Sequence, residues 1–242
     1  MEWTDDAIVL GARHFGEGKL VAEVFARGHG RFGGVVHGGR RALPALQAGN
    51  VVRAGWKARL SDQLGFFHPI ELTEPHATKL LDDPIALAGL SSAVSLVRGA
   101  VAERQAYPQL YDALIVLLES MPHNEIWPVL YTRFELGLLA ALGYGLDLSR
   151  CAVTGEETGL AWVSPRTGRA ATAEAGAPHA ELLLKLPPFL TDPDAPLEEG
   201  DIAHAFALSG YFLERRLFDQ KGEGMPEARR RLIERLGFAG RL

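Results

Sequence analysis

Cysteine is almost absent. Cys151 is the only one in 242 residues, which excludes an intramolecular disulfide and any zinc site built on several thiolates. Long apolar runs are missing as well: nowhere do 18 uninterrupted apolar residues occur, so no membrane span is expected. The acidic start MEWTDDAIVL does not read as a secretory signal, and a cytoplasmic protein is expected. Catalytic and nucleotide signatures are lacking too. Gly28, Gly30 and Gly33 spell G-x-G-x-x-G, but Val35 and Val36 continue as strand where a helix would have to receive a pyrophosphate, and no acid follows about 20 residues on. A glycine-rich hairpin turn is expected there instead. Gly18-Lys19 is no phosphate loop, because Leu20 replaces the metal-binding hydroxyl and Arg13 occupies the leading-glycine position. None of the eight histidines forms H-x-x-x-H, no G-x-S-x-G occurs, and the acids fall at caps (Asp82, Asp83) or in exposed helix pairs (Glu198, Glu199). The chain is therefore expected to be no enzyme and to need no cofactor.

What is present is an ordinary globular composition, 47% hydrophobic and 23% charged, with an uneven spread of charge beneath a net balance of -5. Residues 11–60 carry nine bases against two acids, a local +7, whereas residues 61–242 carry 16 bases against 25 acids, a local -9. This asymmetry separates a candidate polyanion-binding part from an acidic supporting or protein-binding part, and two domains are expected.

Up to residue 72, short β-rich runs alternate with glycine: Ala7–Arg13, Leu20–Arg27, Arg31–His37, Asn50–Leu60 and Gly65–Leu72. Five short strands close most economically into a small Greek-key barrel of the OB type, since an open sheet would leave two edges exposed. From Asp82 the apolar period changes to 3.6, with prolines opening the segments: helices are expected over 84–98, 108–120 and 128–142. A long helix from Gly200 to Lys221 and a last one from Pro226 to Leu236, stopped by Gly237, complete the helical part. The proline-dense stretch 146–198 reads as an irregular insertion or connector.

Within the barrel, the bases are interleaved with Phe15, Phe25, Phe32, Trp56, Phe66 and Phe67. Cations that follow a phosphate backbone, together with aromatic platforms for bases, are how OB barrels hold single strands. Most of these rings are expected to fill the barrel. The candidate DNA-binding residues are Arg13, Lys19, Arg31, Arg40, Arg41, Arg53, Lys57 and Arg59. Arg40 and Arg41 stand out because they follow two glycines in a turn where no apolar core can use them.

The stretches Ala7-Ile8-Val9-Leu10 with Gly16-Glu17, Gly38-Gly39-Arg40-Arg41, Arg133-Phe134-Glu135-Leu136, Leu139-Ala140-Ala141-Leu142-Gly143-Tyr144 and Leu148-Ser149-Arg150-Cys151 resemble the bacterial recombination mediators of the RecO family over essentially the whole chain. The resemblance implies an α+β architecture: an OB barrel over 1–80, a helical domain over 81–145 and 199–242, and a small zinc-finger-like insertion with its connector over 146–198. It further implies binding of single- and double-stranded DNA, annealing of complementary strands, and loading of RecA, together with RecR, onto strands coated by SSB. A nucleoid-associated location in the cytoplasm goes with these partners. Here the insertion is degenerate. Thr154 stands where a second cysteine precedes Gly155, and no later pair follows, so metal is not expected and the module should fold on Leu160, Trp162 and Val163. The resemblance also implies that the helical domain receives the acidic tail of SSB, whose terminal carboxylate needs a cation beside an apolar groove. Arg133, with Leu130 and Phe134, is the candidate in a groove made with helix 108–120, although an arginine there can equally pair with a neighbouring acid. The competing expectation is a protein-binding adaptor whose barrel is only structural.

Overall fold

The first strand, β1 (Glu2–His14), begins ahead of the expected Ala7. Trp3 is buried in the barrel, but Asp5 and Asp6 interrupt the apolar alternation that would have carried the strand back to it. The added length lets β1 pair with two neighbours, Glu2–Ile8 with β4 (Val51–Lys57) and Ala7–His14 with β2 (Lys19–Ala26). A register shift between Val9 and Gly11 bends it where the two pairings meet. With β3 (Gly30–His37) and β5 (Gly65–Glu74) the sheet closes in the order β1-β2-β3-β5-β4, antiparallel except for the parallel β3–β5 pair. This is the closed five-stranded barrel of the OB type. This computed structural model describes the chain apart from Glu17, Ser61, Asp62 and Asn124 and the side chain of Arg40.

Large and small residues alternate across the barrel interior. Trp3, Phe32, Trp56 and Phe67 fill it beside Ala7, Ala22, Ala26 and Ala54. Trp56 is fully buried, and its indole N–H donates to the Gly33 carbonyl at 3.0 Å. Gly65 is required by that ring, since a Cβ there would fall 2.4 Å from the indole; one at Gly34 would fall 2.7 Å from Phe67. The glycines that spell G-x-G-x-x-G lie in the β2–β3 hairpin and the start of β3, as a turn.

Two compact units are present: Met1–Asn124 with Pro226–Leu232, and Glu125–Met225 with Ile233–Leu242. The first holds the barrel, the single turn α1 (His76–Lys79), α2 (Pro84–Ala100) and α3 (Pro108–Ser120). Asp83 caps α2 by accepting from the N–H groups of Ile85 and Ala86, both at 2.9 Å, and Pro84 fills a position whose N–H would have no partner. Both helices find apolar residues on the barrel's outside: α2 packs on β1, and Tyr111 of α3 meets Phe25 with ring centroids 5.9 Å apart.

In the second unit, α4 (Trp127–Ala141) packs on α6 (Asp201–Leu213), with Tyr131 and Phe206 5.4 Å apart. The stretch 146–198 is less irregular than expected. It contains β6 (Leu160–Val163), β7 (Ala170–Thr172) and β8 (Leu184–Lys185) in the order β7-β6-β8, with the turn α5 (Ala173–Gly176). Strands this short carry no period for a sequence to display. Of the three residues expected to form the core of this stretch, Val163 is buried, beside Ala170 and Cys151, while Leu160 and Trp162 are half-buried. Beyond α6 the expected continuous helix passes through a π-helical turn at Glu214–Phe218 before α7 (Asp219–Lys221). The last helix, α8 (Glu227–Phe238), runs through Gly237; Gly240, with φ 64°, lies beyond its end. Among the described residues no helix is long and apolar enough to cross a membrane.

His76 is buried at 1% exposure, and neither ring nitrogen has a hydrogen-bond partner among the described residues. Burial, assisted by the Lys79 charge, holds its pKa below the usual value. The folded state thus favours the neutral ring. The stability linked to this residue is fully present above the unfolded histidine pKa of about 6.5 and is lost as pH falls through the lower folded value. Between pH 7.5 and 5 the denaturant midpoint of the wild type is expected to fall more than that of His76→Phe. Parallel pH profiles would contradict this.

Candidate nucleic-acid interface

Residues that do not point into the barrel line its outside, and the pairing registers bring several of them into one row. Arg13 lies opposite Val21, Val21 opposite Val35, Val35 opposite Phe66, and Phe66 opposite Lys57. The β1–β2–β3 part of this surface is the floor of a groove of about 670 Å³, lined by Arg13, Val21, Glu23, Arg31 and Gly33 and walled by Arg98 of α2. Gly11 and Gly33 place no side chain on that floor. Near one edge is the β1–β2 turn with exposed Phe15, whose N–H donates to the Lys19 carbonyl at 3.0 Å. Leu64, from the β4–β5 connection, lies over Gly33, where an added Cβ would meet it at 3.5 Å. The strand 2–3 face and these two loops are where OB barrels hold oligonucleotides.

Beside Phe66 is a second depression, of about 540 Å³, lined by His37, Arg41, Phe66 and His68 among others. Lys19 pairs in register with His37, and Gly39 approaches Gly18, so the Gly38–Arg41 turn lies against the β1–β2 turn. Of the aromatic set, Phe32, Trp56 and Phe67 belong to the core and Phe25 to the α3 contact. Phe15 and Phe66 are the exposed rings, at 47% and 41%.

The eight candidate cations divide by their neighbours. Arg31 bonds Glu23 at 2.7 Å, Arg53 pairs with Asp6 at 3.1 Å and Lys57 with Glu2 at 3.0 Å. The last two acids precede the window in which the +7 was counted. Over residues 1–60 the balance is nine bases to five acids, so the barrel is less electropositive than the window implied. The Arg53 and Lys57 pairs are exposed and contribute little in water, whereas the Arg31–Glu23 pair is only 20% exposed on each side. Among the described residues no acid pairs with Arg13, Lys19, Arg41 or Arg59, all exposed. Arg40 contributes backbone to the short turn Gly39–Arg41, and its side chain lies outside the described residues.

Sequence reasoning missed two arginines. Arg98 closes the groove from the last turn of α2 and bonds Glu23 at 2.8 Å. Arg104, at a φ of 63°, holds its guanidinium 5.5 Å from the Phe32 ring and 5.8 Å from Trp56, against the barrel core. Both lie outside the basic window. A basic residue in a helix's last turn was the available signal for Arg98.

In the second unit, Arg133 donates to the carbonyl of Phe189 rather than to an acid. Its other N–H groups have no partner among the described residues, and the side chain is half-buried, as is Leu130. Phe134 is buried, with its ring 6.3 Å from Tyr131. Around Cys151, the N–H groups of Thr154 and Thr172 each approach Sγ at 3.4 Å. Burial raises the thiol pKa, but the hydrogen bonds from Thr154 and Thr172 outweigh it and draw the value down to about 6. A single thiolate cannot hold a tetrahedral metal, and among the described residues no three of His, Cys, Asp and Glu gather for one. The residues present do not fit zinc.

Comparison with known proteins agrees with this architecture. Residues 1–76 match the family model described as "Recombination protein O N terminal", and residues 81–223 match "Recombination protein O C terminal". The chain is 48% identical over 239 residues to the DNA repair protein RecO of Hyphomonas neptunium, covering 98% of each chain. It is 46% identical over 244 residues to that of Phenylobacterium zucineum, covering both chains fully, and 47% identical over 239 residues to that of Rhodospirillum centenum, covering 97% of this chain and 94% of the other.

Protein purified without chelators is expected to carry far less than one zinc per chain by elemental analysis. One zinc per chain that survives dialysis would overturn the reading of the Cys151 donor set.

Proposed function

Because the chain belongs to the RecO family of DNA repair proteins, we propose that it is a recombination mediator that binds DNA on the barrel and performs no turnover of its own. The observation that carries this is the groove on the outer β1–β2–β3 face, continued by the row from Arg13 to Phe66 and Lys57. Phosphates of a single strand lie along Arg13, Lys19, Arg41 and Arg59, with Arg40 beside them, while Phe15 and Phe66 offer faces on which bases stack. Stacking and backbone contact are indifferent to sequence, as annealing of arbitrary complementary strands requires. In this reading the protein anneals strands and, with RecR, helps RecA onto SSB-coated DNA in the nucleoid; duplex DNA is a second ligand of the same cations.

The second unit receives the tail of SSB. Arg133, with donors free beyond its bond to Phe189, meets the terminal carboxylate, and half-buried Leu130 lies on the same helix. Phe134 stiffens that helix from inside the core rather than touching the tail.

Replacing Lys19 and Arg41 together by alanine is expected to weaken binding to single strands of every sequence. With about 0.7 of slope per neutralised phosphate, the plot of log affinity against log salt should flatten by about 1.4. Unchanged affinity and slope would favour the adaptor reading with a structural barrel. Arg133→Ala is expected to lower affinity for a labelled peptide of the SSB tail by about 1.5–3 kcal/mol, the scale of a hydrogen bond to a charged group, with DNA binding retained. Unchanged peptide affinity would place the tail elsewhere.

A further inference from the structure

At the centre of the groove sits an anion. Glu23, midway along β2, faces outward opposite Gly33 of β3, and its side chain is only 20% exposed. Its two oxygens serve different arginines: Oε1 accepts from Nη1 of Arg31 at 2.7 Å and Oε2 from Nε of Arg98 at 2.8 Å. Arg31 also donates to the Arg98 carbonyl at 2.9 Å and approaches Glu103 at 3.6 Å, which fixes the two guanidinium groups beside each other. The Nε of Arg31 is buried and has no partner among the described residues. Two guanidinium groups converging on one pair of anionic oxygens form the arrangement that recognises a phosphodiester as well as a carboxylate.

The geometry points to Arg31 and Arg98 as a phosphate subsite of the strand-binding groove, in which the Glu23 carboxylate takes the place of the phosphodiester when no DNA is bound. This inference rests on the function proposed above and adds an internal competitor to it. Glu23 keeps two cations oriented and offsets part of their charge in the free protein. A strand entering the groove exchanges its phosphate for the carboxylate on Nη1 of Arg31 and Nε of Arg98. The exchange makes and breaks charge-assisted bonds in equal kind, so the strand is held without being trapped. Glu23 remains tethered beside the subsite and returns when the strand leaves. Gly33 leaves room for the carboxylate to swing aside, since even an added Cβ there would touch only Leu64.

The test is Glu23→Gln in the full chain, which keeps the size and an acceptor oxygen but removes the competing charge. Binding of an oligothymidylate is expected to tighten roughly fivefold to tenfold at physiological salt, and the log–log salt slope to steepen by about 0.7, one additional neutralised phosphate. Unchanged or weaker binding at unchanged slope in a folded variant would overturn the proposal. A measurement on the wild type guards against a variant that fails to fold: the Nε–H resonance of Arg98 is followed during titration with the same oligothymidylate. It is expected to shift along the binding curve, and an Arg98 resonance that stays still while the strand binds would overturn the subsite. The failures are distinguishable. If Lys19→Ala/Arg41→Ala weakens binding while Glu23→Gln changes nothing, the subsite falls and the DNA-binding barrel stands. If neither changes binding, both fall.

Discussion

Four aromatic rings share the interior of a five-stranded barrel, and they fit because glycine and alanine stand opposite them. Closure makes the packing unforgiving. With no free edge, a strand cannot slip its register without carrying its whole inward set to the outside. Trp56 therefore dictates Gly65, Phe67 dictates Gly34, and the register that results places Val35 beside Phe66 and Phe66 beside Lys57. The outer surface is the complement of the core: each outward position is defined by an inward neighbour. Packing in the interior thus decides where the cations and the exposed ring sit.

The electrostatics follow from the same strands. β1 brings Glu2 and Asp6 beside β4, where they pair with Lys57 and Arg53, and β2 brings Glu23 between Arg31 and Arg98. Where a cation is already paired with an acid, a polyanion binds by exchange; at Arg13, Lys19, Arg41 and Arg59, with which no acid pairs among the described residues, it binds by direct attraction. Such exchange is weak in any one contact and reversible, and the salt dependence is carried mainly by the unpaired cations.

Much of the architecture was legible from residue patterns. Strand alternation between glycines located β2 and β3 closely, and proline at the helix starts located α2, α3 and α4. The start of β1 was hidden because Asp5 and Asp6 serve ion pairs and turn contacts instead of the core. The parallel β3–β5 pairing and the strands β6, β7 and β8 depend on contacts between distant segments, which local patterns do not encode. Among the candidate residues, Arg13, Lys19, Arg41 and Arg59 were legible as exposed bases. The place of Arg98 at the groove was not, since it arises only when α2 packs on β1.

The most direct test of a strand held on the barrel's outer face is amide hydrogen exchange of the full chain with and without a saturating single-stranded oligonucleotide at low salt. The account predicts added protection in the β1–β2 turn, the Gly38–Arg41 turn, the outer β2–β3 face and the segment leading into β5. Protection confined to residues 125–225, with the barrel unchanged, would contradict it.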